Sequence, residues 1–431
     1  MKYLFVACLL CLSVLSAVAK VPAMNKIRLT NNWEYLKGDL GGIWEAVRPA
    51  APGSSEAVPI WQPVTLPHCF NAEDAVDPDV NYYEGPGWYK TLLAIDNPYR
   101  NGRIVLDFDG AGQKTDVYVY TTHVGSHVGG YDSWNVDITD AVKAFLGSKD
   151  AERFKGKVPL SIRCDNSRDL EMIPSDLADF NIYGGLYRYL NLVYLPEVSF
   201  EQIHLESSLS SNLKEGILKV KTSFYNPEDI RKADVTVSVY DVDRKPVFSK
   251  TLEGILPLGD QLLAKMKIKN PVLWDVDVPQ LYTCELTVKT PDQTFTTEER
   301  FGFRHTEFKD KGPFFLNGKR LLLRGTHRHE DHAGVAQAMT EDMMRREMRM
   351  MKDMGVNFIR LGHYQQSEII LDLCDELGIL VWEEIPWCRG GLGGDVYKKQ
   401  ARRMLANMIV QHHNHPAVII WGLGNENDWP N

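Results

Sequence analysis

From residue 20 to about residue 196 the chain is written in short β-prone runs broken by turn residues, at 88–95, 102–108, 115–120, 158–163 and 187–194. Val117 and Val119 alternate with polar neighbours in a two-residue period, the pattern of a half-buried strand. Asn101-Gly102 and Asp109-Gly110 mark turns between such runs. This spacing predicts an all-β sandwich or jelly roll. A second set of runs, at 218–225, 234–240, 261–268 and 282–289, has the length and strand number of a small immunoglobulin-like sandwich. After residue 304 the period changes. Runs at 319–324, 357–361, 379–382 and 418–421 read as strands, and 341–354, 367–377 and 396–412 carry helical spacing between them. Regular strand and helix alternation predicts parallel βα units with right-handed crossovers.

Composition narrows the partners. The 431 residues are 44% hydrophobic, enough to bury several cores. Lys plus Arg total 48 against 57 Asp plus Glu, a net charge of -9 with no basic stripe, so nucleic acid is not an expected partner. Ten Trp and eighteen Tyr suit core packing first, although sugar faces also stack on such rings. Lys2, the apolar run 4–14 and Ala17-Val18-Ala19 form a leader with a small-x-small cleavage site, so residues 1–19 are expected to be removed and the protein exported, to the periplasm or the medium. No later run approaches the ~18 apolar residues of a membrane span. Cys8 and Cys11 fall in the leader. The remaining Cys69, Cys164, Cys284, Cys374 and Cys388 show no CxxC spacing and are expected to be buried thiols.

Parallel barrels gather chemistry at the carboxyl ends of their strands. The four presumed ends lead into Arg324-Gly-Thr-His-Arg-His-Glu-Asp, into Arg360 with His363-Tyr364, into Glu383-Glu384, and into Asn425-Glu426. Carboxylates and arginines around one opening suit glycosidic cleavage, in which a carboxylic acid protonates the leaving oxygen and a second carboxylate attacks carbon or activates water. A metal site is the competing reading of His327, His329 and His332, with Glu330 or Asp331 able to join. Histidines hydrogen-bonded to neighbours are the preferred reading, and no metal or cofactor is expected.

The run WGLGNE at 421–426, preceded by NHPAVII at 414–420, resembles the acid/base signature of glycoside hydrolase family 2, the β-galactosidases, β-glucuronidases and β-mannosidases. GGLYR at 184–188, FGFR at 301–304, FLNGK at 315–319, LRGTHRHE at 323–330, NFIRLGHY at 357–364 and CDELG at 374–378 are further matches in family order. The resemblance implies a jelly-roll sugar-binding domain at 20–197, an immunoglobulin-like sandwich at 198–304 and, at 305–431, the first four strands of a (β/α)8 barrel. It implies retaining cleavage of β-linked sugars, with Glu426 as general acid/base and Asn425 gripping the hydroxyl beside the reacting carbon. His329, Arg360 and His363 match positions that line the sugar pocket, and Asp179 matches a jelly-roll carboxylate that reaches the substrate.

Some positions depart from the family. IPWCRG at 385–390 stands where large bacterial β-galactosidases carry a magnesium motif, so that metal site is expected to be absent. Gln365-Gln366 replaces the usual Pro after His363-Tyr364. By family frequency a β-galactoside is the expected substrate, with β-glucuronide or β-mannoside as alternatives; the usual place of the Asn-x-Lys motif of glucuronidases lies beyond residue 431. The family nucleophile lies on a seventh strand, beyond the four counted. The chain is therefore expected to be an amino-terminal portion with apolar barrel edges, unable alone to hydrolyse glycosides. A carbohydrate-binding or inert fragment is the alternative.

Overall fold

The computed structural model describes residues 26–49, 59–175, 177–227, 232–390 and 393–427; the expected leader lies outside them. The first unit packs a four-stranded sheet against a six-stranded one, each antiparallel. The six-stranded sheet centres on Pro86–Leu93, Val158–Asp165 and Lys114–Val119, and the smaller one on Leu190–Leu195 and Arg103–Phe108. Between them lies a core of Val117, Val119, Leu160, Ile162, Leu106 and Leu192. Phe108 and Trp134 stack within it at 4.0 Å.

The second unit pairs Ser199–Leu209, Glu215–Tyr225 and Gly259–Lys269 in one sheet, and Pro246–Ile255, Ala233–Tyr240, Tyr282–Lys289 and Thr294–Phe301 in the other. Glu215–Tyr225 alternates strictly between buried and half-exposed positions, so one face of the strand meets the opposing sheet. Val105, Val193 and Leu195 of the first unit join this core and fix the two sandwiches together.

In the third unit Gly325–Arg328, Phe358–Leu361, Leu380–Glu384 and Val418–Gly422 form a parallel sheet in chain order, with the helices Glu341–Asp353, Glu368–Leu377 and Asp395–His412 between them. This is the first half of a barrel, with Gly325–Arg328 and Val418–Gly422 at its edges. Thr340 and Ser367 cap the first two helices by accepting from the Met343 and Ile369 amides. One expectation needs correction: the run 319–324 is not the first barrel strand. Lys319–Leu321 turns back on Phe314–Leu316 through Asn317-Gly318, both at positive φ, and closes a three-stranded antiparallel sheet with Thr306–Phe308. Arg324 therefore precedes the first barrel strand, and its Nε donates to the Gly355 carbonyl at 3.1 Å.

The second and third units meet at Trp274, fully buried, whose indole donates to the Asp375 carbonyl at 2.9 Å. His415 Nδ1 sits 2.7 Å from Asp375 Oδ2, and the Ala417 amide donates to Asp375 Oδ1 at 2.9 Å. Burial alone would push His415 down; Asp375, with Asp372 and Glu368 beyond it, outweighs burial and raises it to about 9. Burial lifts the Asp375 carboxyl too, opposed by the imidazolium and the Ala417 amide, so the two act as an ion pair at neutral pH. The folded value lies above that of the unfolded chain, so this contribution is complete below pH ~6.5 and is lost as pH rises through the folded value. The melting temperature is expected to fall across that window, and to fall less steeply in His415→Gln.

Candidate active site

The carboxyl ends of the four parallel strands open toward the jelly roll, and a buried ion pair sets how the two units face each other. Arg188 donates through Nε and Nη2 to Glu330 Oε2 at 2.9 and 2.5 Å, with both side chains almost wholly enclosed. Its remaining donors reach the Tyr131 and Gln365 carbonyls at 2.7 Å each and the Asp109 carbonyl at 3.3 Å, and Glu330 Oε1 accepts from the Ser367 amide at 3.1 Å. Tyr131 stacks on Tyr364 at 4.3 Å, and Tyr183 donates to Asp331 at 2.7 Å. Gln365 and Gln366 serve this seam. Gln365 donates to Gln411 at 2.9 Å, and Gln366 accepts from Arg328 at 2.5 Å.

With this seam formed, the jelly-roll segment before Gly185–Leu186 delivers Asp179 and Phe180 to the barrel mouth. Phe180 packs against His329 and His363 at 5.8 and 6.4 Å between rings. Asp179 Oδ1 accepts from the Cys388 thiol at 3.1 Å, and its Oδ2 lies 3.1 Å from Arg389 Nη2. Burial raises the Asp179 carboxyl, but the thiol, Arg389 and His363 together hold it below its ordinary value. Burial pushes the Cys388 thiol itself up to about 11.

Strand alternation separates the adjacent glutamates, which lie inside the strand Leu380–Glu384 and not after its end. Glu383 faces the helix side, with Oε2 2.8 Å from His412 Nδ1. Glu384 faces the mouth, where both its oxygens accept from Arg360 at 2.9 to 3.2 Å and Oε1 lies 2.6 Å from His363 Nδ1. Gly422 makes room for it, since a Cβ there would stand 2.5 Å from that of Glu384. Arg360 Nη2 also donates to Asn425 Oδ1 at 3.0 Å, and Asn425 Nδ2 donates to Cys388 at 3.5 Å. Glu426 stands at φ 51, uncommon for a residue with a side chain, and its Oε2 accepts from Arg389 Nε at 2.8 Å. One polar chain thus runs Glu384, Arg360, Asn425, Cys388, Asp179, Arg389, Glu426 around the opening.

His329 lies half-buried between Phe180 and His363; burial, then the neighbouring His327 and His363, push it down to about 4. Burial, then His363 and Arg360, lower His327 as well. His332 takes no part, its Nδ1 lying 3.0 Å from the Ala333 carbonyl. The six residues read from sequence, Asp179, His329, Arg360, His363, Asn425 and Glu426, all come to the mouth. Cys388, read from sequence only as a buried thiol, and Arg389 were not among the expected site residues. They lie in a stretch after the third strand that has no periodicity, held by backbone bonds from Arg389 N to Asn425 O and from Asn425 N to Trp387 O at 2.9 and 2.8 Å.

Family models match three consecutive stretches: glycosyl hydrolases family 2, sugar binding domain, at 40–196; glycosyl hydrolases family 2 at 198–304; and glycosyl hydrolases family 2, TIM barrel domain, at 307–430. A putative β-glucuronidase of Formosa agariphila is 39% identical over 406 residues, which cover 94% of this chain and 46% of the relative. A β-glucuronidase of Bacteroides fragilis is 32% identical over 382 residues, covering 84% of this chain and 53% of the relative. The apo structure of Bacteroides uniformis β-glucuronidase 3 superposes with a TM-score of 0.91 at 60% identity, covering 95% of this chain and 52% of that one. The chain spans about half the length of the curated relatives it matches.

Proposed function

Because the chain belongs to glycoside hydrolase family 2, we propose that its barrel mouth is one wall of a retaining β-glycosidase site, in an exported protein that acts on terminal β-glucuronides. The observation that carries the reading is the continuous polar chain from Glu384 to Glu426, built from a jelly-roll carboxylate and three strand ends. In this reading a sugar lies across that chain. Asn425, held by Arg360, meets the hydroxyl beside the reacting carbon, and Asp179, His329 and His363 line the ring's other side. Glu426 transfers a proton to the glycosidic oxygen as the bond to carbon breaks, then takes one from water in the second half-reaction. The leaving oxygen takes the place that Arg389 Nε now holds against the Glu426 carboxylate.

The attacking carboxylate must stand about 5–5.5 Å across the sugar from the acid. Glu384 is bound to Arg360 and His363, and Asp179 to Arg389 and Cys388, so we assign that role to neither. We place it in the part of the relatives that this chain does not span.

The names of the relatives support β-glucuronide ahead of the β-galactoside expected from family frequency. Arg360 and Arg389 are already committed to carboxylates, so neither supports the choice of a uronate. The test is a panel of aryl β-glucuronide, β-galactoside and β-mannoside, given to this chain joined in frame to the remainder of its Bacteroides uniformis relative. Preference for the glucuronide in kcat/KM is expected; preference for the galactoside would return the reading to the earlier expectation.

A further inference from the structure

We propose that His327, His329 and His363 bind one Zn2+ ion at the barrel mouth, on the wall that would hold the sugar. One ring nitrogen from each of the three lies within 4.8 Å of the others. The ring centroids of His327 and His329 are 5.1 Å apart, and those of His327 and His363 are 4.8 Å apart. His327 is the penultimate residue of the strand Gly325–Arg328 and His329 directly follows that strand, so the pair shares a face; His363 comes from beyond the end of the neighbouring strand. Gly362 allows the approach, since a Cβ there would stand 2.5 Å from the His327 ring.

The decisive feature is the carboxylate behind the cluster. Glu384 holds His363 Nδ1 at 2.6 Å and is itself gripped by Arg360, which leaves His363 Nε2 as the nitrogen free to face a ligand. A carboxylate behind an imidazole is the arrangement that orients metal-binding histidines and makes them better donors. Three imidazoles with one open position suit tetrahedral zinc, with Zn–N distances of about 2.0–2.1 Å. Closing the set takes roughly 1 Å of ring movement, and His327 is exposed enough to supply both the movement and a path of entry. Asp179, His363 and Cys388 form a second grouping that shares His363. There the Cys388 sulfur already donates to Asp179 and accepts from Asn425, so the imidazole set is the better host. Zinc binding stands independently of the hydrolase reading. Only its consequence, exclusion of a sugar from His329 and His363, rests on that reading.

The experiment is calorimetric titration of the tag-free, chelator-stripped chain with ZnCl2 at neutral pH, with circular dichroism on every variant. One Zn2+ per chain is expected. His327→Asn and, separately, His329→Gln should each weaken binding by at least tenfold while His332→Asn leaves it unchanged. Failure of the parent chain to bind, or binding that survives both substitutions, overturns the proposal. So does a thiolate absorption band on adding Cd2+ that disappears in Cys388→Ser, since it places the ion on the other set. If zinc binds as expected and does not inhibit glycoside turnover by this chain joined to the remainder of its Bacteroides uniformis relative, the metal site stands and the location of the sugar falls.

Discussion

Replacing Arg188 with Met is expected to destabilise the folded chain by about 3–5 kcal/mol, the range for removing one partner of a buried ion pair. The guanidinium makes two bonds to Glu330 and one each to the Tyr131, Gln365 and Asp109 carbonyls, with both side chains almost wholly enclosed. With the guanidinium gone, the enclosed Glu330 carboxylate loses its ion-pair partner and the Tyr131, Gln365 and Asp109 carbonyls lose a donor. The charge itself is not what the seam requires. Arg188→Met combined with Glu330→Leu should recover a large part of the loss, because an apolar pair of similar volume removes the stranded charge. Urea unfolding of the parent chain and the two variants measures this. A change below about 1 kcal/mol in Arg188→Met would place the pair in the class of weak surface bridges and remove the reason for the docking geometry. The seam also carries function, since Asp179 and Phe180 reach the barrel mouth only with the two units docked.

How much of this was legible in the sequence follows from which forces leave a pattern. Strands with one buried face, such as Glu215–Tyr225, show their period directly, and the change to βα spacing after residue 304 is equally plain. Pro246–Ile255 was missed because it lies at the edge of its sheet with exposed and half-buried residues in no regular order. The hairpin that captures Lys319–Leu321 had a signal in Asn317-Gly318, which the apolar run following it obscured. At the site, residues on strands or at their ends, Arg360, Glu384, Asn425 and Glu426, could be found from the placement rule for barrels. Asp179 came from family resemblance alone, because a jelly-roll loop carries no mark of the barrel it will face. Arg188 and Glu330 are 142 residues apart, and no local pattern announces that they meet.

Glu426 carries the second large effect. If it delivers the proton to the leaving oxygen, Glu426→Gln keeps the shape and hydrogen-bonding capacity of the side chain but has no proton to give, and general acid catalysis of this kind contributes about 10²–10⁴-fold. The loss should depend on the leaving group: severe for a poorly activated alkyl or phenyl glycoside, and small in bond cleavage for a dinitrophenyl glycoside, which departs without protonation. A side chain that only shaped the pocket would lower both alike. Glu426 is the outer member of the polar chain, held by Arg389 alone among the contacts described above, so the substitution should leave the rest of the mouth intact. The most direct measurement is the cleavage rate of a phenyl and of a dinitrophenyl β-glucuronide by this chain joined to the remainder of its Bacteroides uniformis relative, with Glu426 and with Gln at that position. Loss of phenyl glucuronide cleavage by about two orders of magnitude or more, with dinitrophenyl cleavage largely kept, is the predicted result; equal rates for the two proteins on the phenyl substrate would contradict it.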